Sequence, residues 1–88
     1  MASFEIRWKN SARKELKKLP KEAIVRILSA VEDLSSNPLP PGCRKIAGSE
    51  RTYRIRSGVY RVIYSVESEV LCVEVIKVGH RKEIYKKL

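Results

Sequence analysis

Arg54, Arg56 and Arg61 stand close together in the stretch TYRIRSGVYRVIYSV, residues 52–66. Guanidinium groups keep their charge at every physiological pH and grip phosphate oxygens in pairs through a planar fork. Such a cluster suits contact with a phosphodiester and, beyond that, the charge that builds in a phosphorane-like transition state. Charge alone does not separate binding from catalysis. Ser57-Gly58 is a turn signal among the arginines, and the residues around it alternate as two strands of a hairpin would. With Ser57-Gly58 as a two-residue loop, Arg54 stands opposite Arg61 and Arg56 opposite Val59. Cross-strand partners share a face. The three arginines then project from one side, and Tyr53, Ile55, Tyr60, Val62 and Tyr64 from the other. Like charges in direct opposition destabilise a hairpin, so a sequence that keeps them has an anion to place between them.

The segment GHRKEIY, residues 79–85, adds Arg81, Lys82, Tyr85 and the single histidine, His80. Tyr85 can stack on an unpaired base, a contact worth ~1–3 kcal/mol. His80 is the one side chain whose ordinary pKa allows proton exchange near neutrality. Arg51 and Lys45, upstream of the hairpin, are further candidates for phosphate contact.

The background charge agrees with a polyanionic partner. Nineteen Lys and Arg oppose ten acidic residues, a net charge of +9 with a pI near 9.9. Residues 1–43 hold eight basic and five acidic groups, residues 44–88 eleven and five, so the second half carries most of the surplus. Nucleic acid is the usual partner of such a domain; an anionic membrane surface or an acidic protein fits charge alone equally well. No apolar run approaches a membrane span, and MASFEIRWKN lacks the apolar centre of a signal peptide. Cys43 and Cys72 fall in no CxxC or Cys/His pattern, which reads as two free thiols in a reduced, cytoplasmic protein.

The elements that position these residues follow from periodicity. Eighty-eight residues with 43% apolar content make one domain, 1–88, with a modest core. SFEIRW alternates Phe4, Ile6 and Trp8 against charged residues, a half-buried strand. Asn10 or Ser11 can cap the helix that follows, whose apolar stripe is Ala12, Leu16 and Leu19; Pro20 ends or kinks it. Ile24, Ile27, Leu28, Val31 and Leu34 recur at helical spacing and complete a helical hairpin. Three prolines and two glycines between 38 and 50 leave room for nothing longer than a turn. From Thr52 the pattern is β: the hairpin, a turn at Glu67-Ser68-Glu69, and the run VLCVEVIKV ending at Gly79, followed by a short basic helix or tail. The expectation is an α+β fold of order β-α-α-β-β-β, a helical hairpin on a small, mainly antiparallel, twisted sheet.

This order, the hairpin YRIRSGVYRVIY and the ending VIKVGHRKEIYKKL together resemble the RelE-like branch of the RelE/ParE toxin superfamily. The resemblance covers nearly the whole chain and is most specific over the last third. It implies that Arg54, Arg56 and Arg61 match the family's basic hairpin residues, Arg81 the arginine after the last strand, and Tyr85 a tyrosine of the final segment. It implies a ribosome-dependent endoribonuclease that cuts messenger RNA in the A site without metal or other cofactor. The RNA's own 2′-hydroxyl attacks the neighbouring phosphate. Arg61 would serve the scissile phosphate, Arg81 the leaving oxygen, Tyr85 substrate orientation, and Arg54 and Arg56 the bent backbone. No Asp/Glu cluster suited to Mg²⁺ is visible in the sequence.

Family members often carry lysines where this chain has Arg54 and Arg56. A crowded lysine can lose its proton and arginine cannot, which leaves the general base as His80, Glu50 or no strong base at all; the last is favoured. The resemblance also implies a cognate antitoxin as partner, with DNA contacts coming only from that antitoxin. The edge of the 24–34 stripe, or the groove beside Trp8, could receive an antitoxin helix. Two rival functions share the charge pattern: a ParE-like gyrase poison, and a non-catalytic nucleic-acid-binding module.

Overall fold

The computed structural model describes residues 3–80. The elements are β1 (Glu5–Trp8), α1 (Asn10–Lys17), α2 (Lys21–Asp33), β2 (Arg44–Lys45), β3 (Thr52–Ser57), β4 (Tyr60–Glu67) and β5 (Cys72–His80). The strands form one sheet in the order β1-β5-β4-β3-β2. Every neighbouring pair is antiparallel except β1 with β5. The expected α+β architecture is present, with one strand more than the order β-α-α-β-β-β contains. The Pro- and Gly-rich 38–50 segment contains β2, two residues long and paired to β3.

The helices bury the stripes that their spacing foretold. Ala12, Leu16, Ile27, Val31 and Leu34 meet Ile55, Val62, Tyr64, Val66, Val73, Val75 and Val78 in one core. Leu28 departs from its stripe and is exposed, as is Val25. Neither Asn10 nor Ser11 caps α1. The cap position is Lys9, without a side-chain bond, because β1 runs straight into the helix. Pro20 sits at the start of α2, where its fixed φ suits the entry and its missing N–H costs nothing. Phe4, Ile6 and Trp8 pack against the core from the β1 edge while Glu5 and Arg7 face water.

The hairpin register differs from the expected one by two residues. The loop is Gly58-Val59, so Ser57 pairs with Tyr60, Arg56 with Arg61 and Arg54 with Ile63. Gly58 has φ of +62°, the sign required at the first central position of a type II′ turn and open to glycine at no steric cost. The next connection holds a strained residue. Leu71 adopts φ of +49°, in the left-handed region that side chains with a Cβ avoid. Leu71 is 39% exposed, so trimming it forfeits a partly buried side chain, which offsets the relief of strain. Leu71→Gly is therefore expected to leave the unfolding free energy within about 1 kcal/mol of the wild type. Urea denaturation measures it, and a loss well beyond that would contradict the expectation.

β5 does not stop at Gly79 but runs to His80. It also contains an irregularity. Ile63 pairs with Lys77 but Tyr64 pairs with Val75, so Ile76 is an extra residue. A bulge of this kind reverses which side of the sheet later residues face.

Candidate nucleic-acid interface

Cross-strand partners share a face, so the register decides which basic side chains can act together. One rung runs Arg44, Arg54, Ile63 and Lys77 across β2, β3, β4 and β5. The adjacent rung on that face runs Arg56, Arg61 and Gly79. Directly opposed residues lie roughly 5 Å apart and successive same-face residues roughly 7 Å apart along a strand. Arg44, Arg54, Arg56 and Arg61 therefore form a block of four guanidinium-bearing positions on the side of the sheet away from the helices. Two of its pairs, Arg44 with Arg54 and Arg56 with Arg61, are like charges in direct opposition. A Ser57-Gly58 loop would give one such pair, Arg54 with Arg61; the two-residue shift replaces it with Arg56 and Arg61. Gly79, opposite Arg61, carries no side chain.

The block is graded in burial. Arg54 is only 9% exposed, beside the fully buried Ile63. Arg61 is half-buried, and Arg44 and Arg56 are exposed. An arginine buried along its aliphatic stem holds its charged head in a narrow range of positions, as a binding surface needs. Beside Arg56, a hollow of about 520 Å³ is lined by Pro41, Gly42, Cys43, Arg44 and Arg56.

The remaining candidates lie elsewhere. Lys45 pairs with Tyr53 and so projects to the opposite side of the sheet from Arg44. Arg51 lies at the far end of the hairpin from its turn, where its Nη1 donates to Glu67 Oε2 at 2.8 Å. Glu50 is next to it, roughly 20 Å along the strand direction from the Arg56–Arg61 rung. His80 pairs with Tyr60, and the two rings meet edge to face at 6.0 Å between centroids. Tyr60 packs against the helix-side core, so His80 lies on that side and not with the arginines. Arg81, Lys82, Tyr85 and the basic C-terminal helix or tail lie outside the described residues. Among the described residues, no three His, Cys, Asp or Glu side chains gather into a metal site. No helix among them is long and apolar enough to cross a membrane.

Arg44 is the member of the block that sequence reasoning missed. Its signal was a two-residue alternation, Arg44 against Lys45, inside a loop-like segment. Only pairing to β3 tells which of the two faces Arg54.

Residues 6–85 match the family model described as the ParE toxin of type II toxin–antitoxin system, parDE. Toxin RelG of Mycobacterium tuberculosis is 34% identical over 88 residues, covering 96% of this chain and 98% of that protein. The chain belongs to the RelE/ParE toxin superfamily, on its RelE-like branch. This toxin also superimposes on solved RelE structures. In the archaeal RelE–RelB complex from Pyrococcus horikoshii, the matched chain has a TM-score of 0.82 at 29% identity, with 92% of this chain and 98% of that chain covered. In the toxin–antitoxin complex RelBE2 from Mycobacterium tuberculosis the values are 0.81 at 28%, with 94% and 97% covered. The isolated E. coli RelE toxin gives 0.80 at 26%, with 97% and 94% covered. The match extends over the whole architecture, so this chain is the toxin of a type II toxin–antitoxin system.

Proposed function

We propose that this toxin is a ribosome-dependent, metal-independent endoribonuclease of the cytoplasm that cuts messenger RNA in the A site. The observation that carries the reading is the four-arginine block with its two like-charge pairs. A polyanion relieves that repulsion, and a bent RNA strand supplies several phosphates at this spacing. In the step proposed, the 2′-oxygen of one nucleotide bonds to the adjacent phosphorus and the bond from phosphorus to the 5′-oxygen breaks. The products are a 2′,3′-cyclic phosphate and a 5′-hydroxyl. The proton of the 2′-hydroxyl leaves to water and the 5′-oxygen gains one.

Arg61 stabilises the charge growing on the scissile phosphate. Arg54 and Arg56 hold the flanking backbone in line for attack. Arg81 assists the leaving 5′-oxygen, and Tyr85 orients or stacks the substrate. With His80 beside Tyr60 and Glu50 at the far end of the hairpin, the reading relies on positioning and fixed charge instead of a strong base. Arg44 extends the grip to a further phosphate. Arg44→Ala is expected to weaken single-stranded RNA binding and lower the salt slope by about 0.7. Lys45→Ala, on the other face, should leave both unchanged, as fluorescence anisotropy across a salt series would report.

The reading includes a cognate antitoxin. The neighbours from Pyrococcus horikoshii and Mycobacterium tuberculosis are toxin–antitoxin complexes. An acidic or amphipathic segment of such a partner suits the basic face, and operator DNA would be touched only through it. Primer extension on ribosome-bound messenger, after induction of the toxin, tests the function. A-site cuts that vanish in Arg61→Ala and Arg81→Ala support it. The name of the matching family model keeps one second reading in view, a ParE-like gyrase poison. Cleaved DNA trapped with gyrase, and intact messenger, would favour that reading.

A further inference from the structure

The geometry points to Glu15, on α1, as a positioning residue for the strand end that faces Arg61; the inference rests on the nuclease reading above. β1 accompanies β5 only as far as Val75, where Trp8 is its last partner and Lys9 N–H donates to Val75 O at 3.0 Å. Beyond that point no strand among the described residues lies along the β1-side edge of β5. Ile76 then enters as the extra residue of the bulge, so this is the least regular part of the strand. Three residues later stands Gly79, the partner of Arg61.

Glu15 fills the gap that β1 leaves. Its Oε1 accepts the Val78 N–H at 3.2 Å and its Oε2 accepts from Lys77 Nζ at 3.1 Å. One carboxylate thus stands in for a missing strand and pins two consecutive residues just past the bulge. The pair is largely withdrawn from water, with the Lys77 side chain 15% and the Glu15 side chain 30% exposed, so the contact is less screened than a surface bridge. Glu15 does not face the arginine block. Its effect passes through the backbone: it sets how closely residues 78–80 lie beside Tyr60 and Arg61. It also holds the Lys77 ammonium, whose register neighbour is Ile63, away from Arg54. A small displacement at a reacting centre is costly, so a remote residue that fixes the strand end controls turnover more than binding.

Three variants of the full-length toxin separate these contributions. Glu15→Leu removes both contacts; Glu15→Gln keeps an acceptor for Val78 N–H; Lys77→Met keeps Glu15 and Val78 N–H and removes only the ammonium. Amide hydrogen exchange in the free toxin is the first measurement. Protection of the Val78 amide is expected to fall roughly 10-fold or more in Glu15→Leu, with Val62 and Val73 unchanged, and to survive in Glu15→Gln and Lys77→Met. Cleavage of messenger on programmed ribosomes is the second. In Glu15→Leu kcat is expected to fall roughly 10-fold with KM unchanged, and Glu15→Gln should restore most of it. If Glu15→Leu does not fold, Glu15→Asp, one methylene too short to reach both donors, takes its place with the same expectation. Unchanged Val78 protection, or a loss confined to KM, would overturn the inference. If the wild-type toxin cuts no RNA, the nuclease reading fails by itself, while the exchange result still decides whether Glu15 anchors this strand end.

Discussion

Arg61→Ala is expected to reduce A-site cleavage by about 10²–10³-fold, the usual loss when a fixed charge aimed at a developing oxyanion is removed. Arg61→Lys should recover little of this, because an ammonium is a point charge and cannot match phosphate with two parallel donors. The stability of Arg61→Ala should change by no more than about 1 kcal/mol, because repulsion from the directly opposite Arg56 offsets part of what the contacts of Arg61 contribute. A toxin that loses activity while holding its thermal midpoint is the signature of a residue kept for the site and not for the fold. Thermal melting beside primer extension measures both. Loss of folding in Arg61→Ala would show that the arginine serves structure, and retained cleavage would remove it from the chemistry.

Tyr64→Ala should be the most destabilising change in the described residues. Tyr64 is fully buried, lies 6.1 Å from Tyr53 in a stacked arrangement, and donates its hydroxyl to Pro38 O at 2.7 Å. It therefore fastens the long 34–43 connection to the sheet as well as filling the core. Deleting a buried aromatic costs about 3–5 kcal/mol, against a total stability of about 5–15 kcal/mol for a domain. Tyr64→Phe isolates the hydroxyl and should cost about 1–3 kcal/mol, because the Pro38 carbonyl loses its donor. Burial first, and then the neighbouring Cys43, hold the Tyr64 phenol well above its ordinary range. The folded protein thus keeps a proton that the unfolded chain releases at about pH 10. The stabilisation is complete below that pH and is lost as pH rises above it. Urea denaturation at pH 7 and above pH 10 should show a steeper alkaline loss for the wild type than for Tyr64→Phe; equal slopes would count against this account.

Much of the site could be read in advance because a two-residue error does not change sides. The expected loop, Ser57-Gly58, and the observed one, Gly58-Val59, differ by two in the sum of paired positions. Side chains alternate with period two, so Arg54, Arg56 and Arg61 stay together under either register, and so do Tyr53, Ile55, Val62 and Tyr64. What changed was which arginines oppose one another. Turn chemistry explains the miss: glycine was needed at the first loop position, where φ is positive, and not at the second.

His80 shows the limit of the same logic. Strict alternation from Val73 and Val75 would carry His80 to the arginine side. The extra residue Ile76 reverses the count, and His80 joins Tyr60 on the helix side. Nothing local in VLCVEVIKV announces a bulge. It arises where β1 ends and α1 begins to pack against β5, which is a property of the assembled sheet. Arg44 and Lys45 have the same status, since two residues among prolines and glycines become a strand only when β3 is there to pair with them.

The chain's own order of residues determined the two amphipathic helices, the hairpin and the shared face of its three arginines, because each rests on a period of 2 or 3.6 residues within one element. Tertiary structure alone decided that Arg44 joins that face, that His80 and Lys45 leave it, and that Glu15 holds the strand opposite Arg61. Those outcomes depend on which strands meet and where one of them bulges. Backbone groups far apart in the chain settle such questions by finding their hydrogen-bond partners, and no local pattern encodes that choice.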